Sequence, residues 1–267
     1  MLEDGLRYNS APARRQRIVS ALRTSGFLSV SELAQALSVS DMTVRRDLRI
    51  LAEQGEVRMV HGGVSLPHGT LQTPSFIARA GEQAGRKRRI ALRAVELLQP
   101  DEVIVVDAGT TTYEFATSLP ETFGGAVVTH SVPLVSHLLH RPGIRVIGLG
   151  GELHALSQAF VGTMTVQAAR RLRVRTAFMG AAAIDSEGIY VHADIERETK
   201  LALMDIADTV VLLADHDKFQ RLAPIRLCEL GRVDRLVTDA FPAPKVAERL
   251  ASHGVEIIVA EASSDRE

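Results

Sequence analysis

The chain has 267 residues, 46% of them hydrophobic and 24% charged, which exceeds a typical domain of roughly 100 to 200 residues and suffices for a sizeable core, so two domains are expected. Its lone cysteine, Cys228, excludes an internal disulfide; Met1 to Ser10 lack an apolar signal core and no apolar run approaches the roughly 20 residues of a membrane span, so a cytoplasmic protein with no membrane partner is expected. Net charge is −1, but residues 1 to 90 carry fourteen Lys or Arg against eight Asp or Glu, while the remainder carry seventeen against twenty-four, so the basic half is N-terminal.

In chain order, Arg14 to Ser25 sets Ile18, Ala21 and Leu22 on one helical face, with Gly26 as the stop. Ser29-Val30-Ser31-Glu32 is a capping box that opens a second helix with Leu33, Ala34 and Leu37 inward. A turn of three to four residues follows, the spacing of a helix-turn-helix. Ser40 then caps a third helix whose seam is Val44, Leu48 and Leu51, leaving Met42, Thr43, Arg45, Arg46 and Arg49 on the opposite side, free to enter a DNA groove. Gly55 ends that helix as a left-handed cap, and Glu56 to Leu66 alternates loosely around His61-Gly62-Gly63, a two-stranded wing whose tip can lie on the phosphate backbone.

A solvated basic helix would need none of this agreement among caps, turn, seam and wing. Residues 1 to 66, with a core from 14 to 66, therefore read as a winged helix-turn-helix that contacts double-stranded operator DNA through Ser40, Met42, Thr43, Arg45, Arg46, Arg49 and His61. Those residues hold nine basic and seven acidic side chains, a small positive surplus, so a homodimer or homotetramer is expected on DNA.

Pro67 to Pro74 breaks the periodicity, and Gly81 to Gly85 precedes Arg86-Lys87-Arg88-Arg89 at the start of a helix running to about Leu98, so residues 67 to 85 read as a linker. Basic charge at a helix N-terminus opposes the dipole and invites a phosphate or an acidic neighbour. From Asp101 onward short β-branched runs alternate with helical stretches. Strands are predicted at 103–107, 126–130, 144–148, 176–180, 209–215, 236–239 and 255–259, with helices near 111–118, 133–139, 164–172, 198–207 and 244–252. Residues 86 to 260 are thus an α/β domain with a mainly parallel sheet, followed by a tail at 261–267.

Ligands of such sheets sit beyond the carboxyl ends of the strands. There, Asp107-Ala108-Gly109-Thr110-Thr111-Thr112 turns a strand into a helix with free backbone N–H groups and three hydroxyls, chemistry suited to a phosphate, although Thr and Gly cap such turns equally well without a ligand. It is neither a Walker loop nor a dinucleotide fingerprint, and no cofactor is expected. Other strand ends add Thr129-His130-Ser131, Gly150-Gly151, Asp185, Glu198 with Lys200, and Asp215 with Lys218, a mixture of donors and acceptors suited to a phosphorylated polyol. Singly, Thr129 and Ser131 serve as well as caps, Gly150-Gly151 as a turn and Glu198/Lys200 as a surface charge pair. His137 and His140 share a helix without a Cys or carboxylate placed to complete a metal site, so no metal is expected.

Arg14-Arg15-Gln16-Arg17-Ile18, the block Ser40-x-x-Thr43-Val44-Arg45-Arg46-Asp47-Leu48 and His61-Gly62-Gly63 resemble the N-terminal domain of DeoR-type bacterial transcriptional regulators. The resemblance continues through Asp107-x-Gly109-Thr110-Thr111, Val127-Val128-Thr129, Gly150-Gly151, Phe178-x-Gly180, Glu198-x-Lys200 and Asp215-x-x-Lys218 into that family's sensor domain, itself similar to ribose-5-phosphate isomerase. It implies a ribose-5-phosphate isomerase-like second domain and a phosphorylated sugar or polyol effector whose phosphate sits at Thr110 and Thr111, with Lys218 facing the same pocket. It also implies a repressor of a sugar or polyol catabolic operon. His130 departs from the Asn common at its position in the family.

By the same resemblance Glu198 stands where the isomerase has its general base. The isomerase's pair of acids would fall on Met179-Gly180-Ala181-Ala182, which holds none, and its lysine-bearing glycine loop has no counterpart at His192 to Arg197. Binding without turnover follows, hence a sensor and not an enzyme. The competing readings are an isomerase fused to a helix-turn-helix and an effector-independent DNA-binding protein.

Overall fold

Capping chemistry sets the ends of the N-terminal helices. The computed structural model describes residues 11–25, 27–60, 63–65 and 75–261, and the chain divides into two units, Met1–Arg79 and Ala80–Glu267. In the first, α1 (Ala11–Ser25) is followed by β1 (Phe27–Ser29), α2 (Val30–Leu37), α3 (Asp41–Glu53), β2 (Arg58–Val60) and β3 (Gly63–Ser65). The Ser29/Glu32 capping box is formed in both directions, with Glu32 N–H donating to Ser29 Oγ at 3.1 Å and Ser29 N–H to Glu32 Oε2 at 2.7 Å. Ser38 ends α2 in the left-handed region at φ 53°, and Ser40 Oγ accepts from Thr43 N–H at 3.3 Å to start α3. Gly55, at φ +73°, closes α3 with Glu56 N–H bonded back to Leu51 O at 2.9 Å. Ile18, Leu22, Leu33, Leu37, Val44, Leu48, Leu51, Val57 and Val64 make one core. The stop expected at Gly26 and the wing tip at His61-Gly62 lie outside the described residues.

Three features up to Gly81 go beyond the sequence reading. β1 joins the wing as a third strand, pairing antiparallel with β3 in the order β1-β3-β2. Asp47, on the recognition helix, is buried and accepts from Arg14 Nε at 2.6 Å, with Arg15 Nη1 at 3.8 Å. The Arg14-Arg15 pair therefore ties α1 to α3 through a charge-assisted hydrogen bond. The stretch read as a linker contains a helix, α4 (Phe76–Gly81).

In the second unit α5 (Ala84–Val95) leads into a seven-stranded, wholly parallel sheet of order β15-β14-β12-β9-β4-β5-β6. Its strands are β4 (Val103–Val106), β5 (Ala126–Thr129), β6 (Arg145–Gly148), β9 (Val174–Gly180), β12 (Ala207–Leu213), β14 (Arg235–Thr238) and β15 (Glu256–Val259). Successive side chains face opposite layers: Ile104, Val106, Phe178 and Val211 pack with α5, α6 (Thr110–Thr117) and α7 (Val132–Leu138), while Val105, Ala177, Met179 and Leu212 pack with α8 (Thr163–Ala169), α9 (Asp194–Asp205) and α10 (Pro244–Ser252). Phe115 of α6 stacks on Phe178 of β9 with centroids 4.1 Å apart.

From β4 the chain first runs to β5 and β6, then returns to β9 on the other side of β4 and continues to β12, β14 and β15. The strand order reverses between β4 and β9, which makes their carboxyl ends the topological switch point. Two additions border the sheet: a hairpin of β7 (Glu152–His154) and β8 (Ala159–Val161), and a small antiparallel sheet of β10 (Ala183–Ile184), β11 (Ile189–Val191) and β13 (Ile225–Cys228). The helix expected from Glu198 begins four residues earlier, at Asp194.

Candidate functional site

On the DNA-binding unit, the helix-turn-helix leaves one face of α3 open. Val44 and Leu48 are fully buried, whereas Met42, Arg45, Arg46 and Arg49 are exposed. Arg45, Arg49, Ala52 and Glu53 of α3 together with Met59 of β2 line a groove of about 370 Å³ between recognition helix and wing. Ser40 and Thr43 are partly engaged with each other, their hydroxyls 3.0 Å apart at the cap. His61 lies outside the described residues.

In the second unit the switch point gathers charge. Asp107, at the end of β4, is buried and accepts from Lys200 Nζ of α9 and, at 3.0 Å, from the Gly180 N–H at the end of β9. Lys200 also donates to Gly180 O at 3.1 Å. His130, at the end of β5, places Nε2 3.2 Å from Asp107 Oδ1 and 3.3 Å from the Ala108 N–H, and its Nδ1 2.8 Å from Phe160 O of β8. Burial pushes the Asp107 carboxyl up, but the Lys200 ammonium and the His130 hydrogen bond outweigh it and hold the group well below the usual carboxylate range.

Beside this cluster Gly109 is the N-cap of α6. A side chain there would crowd Thr112 Oγ1 at 3.1 Å and approach Gly180 Cα at 3.7 Å, so the β4 and β9 loops meet through two glycines. Thr112 donates to Asp107 O at 2.7 Å and Gly109 O at 2.9 Å and is thereby spent on the turn. Among the described residues the hydroxyls of Thr110 and Thr111 have no partner, and the first helical hydrogen bond begins only at Tyr113 N–H. Two hydroxyls and the first-turn amides are thus open to an anion beside Lys200. At the end of β12, Asp215 is buried with Oδ1 unpartnered among the described residues, and Lys218, in the following 3₁₀ turn, is buried too.

Other sequence candidates are committed to the backbone. Thr129 donates to Val106 O at 2.7 Å and accepts from Ser131 N–H at 3.1 Å, while Ser131 caps α7 by accepting from Leu134 N–H at 3.3 Å. Gly150 O accepts from Thr165 Oγ1 at 2.9 Å. Gly151 has φ +154° and no room for a Cβ, which would lie 2.1 Å from Thr165 Oγ1. Asp185 accepts from Glu187 and Gly188 N–H at 2.7 and 3.0 Å and so holds the turn between β10 and β11.

Glu198 requires a correction. Its side chain is 67% exposed and pairs with Arg197 at 2.7 Å, away from the Asp107 cluster. The reason is helical phase. Counted from Asp194, the buried positions of α9 include Glu196, Thr199, Lys200 and Leu203, spaced i, i+3, i+4 and i+7, with Ala202 and Met204 flanking Leu203, and Glu198 is exposed. The inward carboxylate is Glu196, with Oε1 3.8 Å from Nδ1 of His154 of the β7–β8 hairpin. The acidic first turn Asp194 to Glu196 was the available signal for the earlier start. The basic cluster before β4 meets acidic neighbours: Arg86 bonds Asp217 at 2.7 Å and lies 3.4 Å from Asp239.

A winged helix-turn-helix on one unit and an α/β unit with charge and open donors at its switch point define a DNA-binding regulator with a sensor. Residues 14–70 match the DeoR-like helix-turn-helix domain and residues 82–240 the DeoR C terminal sensor domain. The glycerol-3-phosphate regulon repressor of Escherichia coli K12 is 31% identical over 245 residues, covering 91% of this chain and 97% of that protein. The L-fucose operon activator of Haemophilus influenzae is 31% identical over 248 residues, covering 92% and 99%. The chain belongs to the DeoR family of transcriptional regulators. Ribose 5-phosphate isomerase A of Methanocaldococcus jannaschii, at 18% identity over 50% of this chain and 53% of that one, is a distant likeness with a TM-score of 0.37. No described helix is long and apolar enough to cross a membrane.

Proposed function

We propose that the protein represses a sugar or polyol catabolic operon, and that a phosphorylated sugar or polyol bound at the switch point sets its grip on operator DNA. The observation that carries this reading is the pair of unpartnered hydroxyls, Thr110 and Thr111, at an α6 N-terminus whose amides are open and which lies against the Asp107–Lys200 pair. The buried Asp215 Oδ1 without a donor adds an acceptor that a ligand hydroxyl would satisfy. The names of the relatives agree in class, one concerning glycerol 3-phosphate and one L-fucose, and differ in sign, one a repressor and one an activator. Thr110, Thr111, Lys200 and Lys218 hold the effector in this reading; Glu198, being exposed, takes no part, and binding proceeds without turnover.

The test is a thermal-shift screen over phosphorylated sugars and polyols, since a ligand that binds the folded state raises apparent stability by mass action. Operator affinity is then measured with and without the hit. A change of 5- to 150-fold, about 1 to 3 kcal/mol of coupling, is expected. The double variant Thr110→Val/Thr111→Val, which keeps shape and deletes two hydroxyls, and Lys218→Met should each shrink that ratio toward one. An undiminished response in both would move the effector elsewhere, and operator binding indifferent to every compound would leave an effector-independent DNA-binding protein.

A further inference from the structure

The β7–β8 hairpin carries a polar group that the phosphate site does not use. His154 Nδ1 lies 2.7 Å from Ser157 Oγ and 3.8 Å from Glu196 Oε1. A serine–histidine–carboxylate nucleophile needs both ring nitrogens, one for each partner. Here both contacts fall on Nδ1, so the arrangement orients the ring and activates nothing. Ser157 Oγ also lies 3.5 Å from His154 O, and the Glu196 carboxylate facing the same Nδ1 favours a proton on that nitrogen, with Ser157 Oγ as its acceptor. In that tautomer Nε2, which has no partner among the described residues, is left as a hydrogen-bond acceptor.

The position of this acceptor follows from what anchors the hairpin. Phe160 N–H donates to His130 O at 2.9 Å, Val132 N–H to Gln158 O at 2.9 Å, and Gly162 N–H to Thr199 Oγ1 at 3.3 Å. The hairpin therefore bridges the end of β5 and the buried face of α9. His154 pairs in register with Ala159, which itself bridges to Ser131. Glu196 stands about one turn before Lys200 on the same face of α9, about 6 Å along the axis. The His154 side chain is 21% exposed, while Ser157, its partner, is buried.

We propose that His154, oriented by Ser157 and backed by Glu196, is a specificity-determining residue that accepts a hydrogen bond from a hydroxyl at the end of the effector remote from its phosphate. The proposal deepens the effector site above and rests on it. Two acceptors side by side, one of them a carboxylate, select a neutral hydroxyl-bearing end and reject a second anionic group such as a carboxylate or another phosphate.

The full-length protein is titrated calorimetrically with inorganic phosphate and with matched pairs differing only in a terminal hydroxymethyl or carboxylate: glycerol 3-phosphate with 3-phosphoglycerate, and glucitol 6-phosphate with 6-phosphogluconate. The hydroxymethyl member of a pair should bind tighter than its acid partner. The ratio of its affinity to that of inorganic phosphate should fall about fivefold to tenfold in His154→Ala, the loss of one hydrogen bond to a desolvated partner. Glu196→Gln should narrow the discrimination against the acid. Equal binding of acid and polyol to the wild type, or an unchanged ratio in His154→Ala with Thr110→Val/Thr111→Val still disruptive, overturns the assignment of His154 and leaves the effector site standing. Failure of every compound, inorganic phosphate included, to bind the wild type overturns both. The wild-type pair comparison decides the matter even if a variant does not fold.

Discussion

At the scale of the residue, Asp107 joins three strand ends, taking Lys200, the Gly180 N–H and His130 on its two oxygens. Its carboxyl titrates lower in the folded chain than in the unfolded one, where about 3.9 is expected, because Lys200 and His130 overcome the effect of burial. The stability it contributes is therefore present above the unfolded value and is lost as pH falls below it toward the folded one. Asp107→Asn strands the Lys200 ammonium in the interior and should cost about 3 to 5 kcal/mol at pH 7. Urea unfolding of both proteins from pH 7 to pH 3 should show that gap narrowing below about pH 4; a gap independent of pH would contradict the assignment. Burial likewise pushes the Cys228 thiol up to about 11, against the partial opposition of Arg232 and Arg226. At pH 8 the folded protein should react with a thiol reagent on the order of a hundredfold more slowly than the urea-unfolded chain, from the thiolate fraction alone.

At the scale of the element, the recognition helix separates side chains exposed on its open face from one that holds the helix in place. Arg45 and Arg46 are exposed, while Asp47 between them and Leu48 is buried on Arg14. Arg45→Ala or Arg46→Ala should cost about 1 to 3 kcal/mol of specific operator binding wherever the guanidinium meets a guanine, with the unfolding midpoint unchanged. Asp47→Asn should instead lower the midpoint. Mobility-shift titration beside thermal unfolding separates the two classes, and wild-type DNA affinity in both arginine variants would remove this helix from the groove. The central strands of the parallel sheet were legible because a strand buried on both faces is an unbroken apolar run, such as Ile104 to Val106 or Val210 to Leu213. β1, β7, β8, β10 and β11 have only two or three residues each, too few for any alternation to register. Among the candidate site residues, Thr110 and Thr111 were marked by their place after a strand, whereas Glu196, His154 and Ser157, proposed above, depend on the phase of α9 and the docking of a hairpin, both set by tertiary contacts.

At the scale of the whole molecule, charge argues for assembly. Residues 1 to 66 hold nine basic and seven acidic side chains, and the acidic residues outnumber the basic ones beyond residue 90, so phosphate attraction per chain is weak. A single recognition helix with three exposed arginines on its open face offers few phosphate or base contacts, and each phosphate neutralised contributes only about 0.9 to the slope of log affinity against log salt. Specific regulators typically bind at about 10⁻⁸ to 10⁻¹¹ M at physiological salt, a range this unit would reach by engaging two half-sites at once, the second contact becoming intramolecular. The protein should therefore be a dimer or tetramer at operator-binding concentrations and read paired half-sites spaced by one or more helical turns of about 34 to 36 Å each. Deleting one half-site from the duplex should weaken binding by on the order of a hundredfold or more, and inserting half a helical turn, roughly 5 base pairs, should weaken it comparably by rotating one half-site to the opposite side of the duplex. Light scattering that finds a monomer at those concentrations, together with equal affinity for the single and the paired site, would contradict this, and recognition would then have to come from contacts beyond the recognition helix and wing.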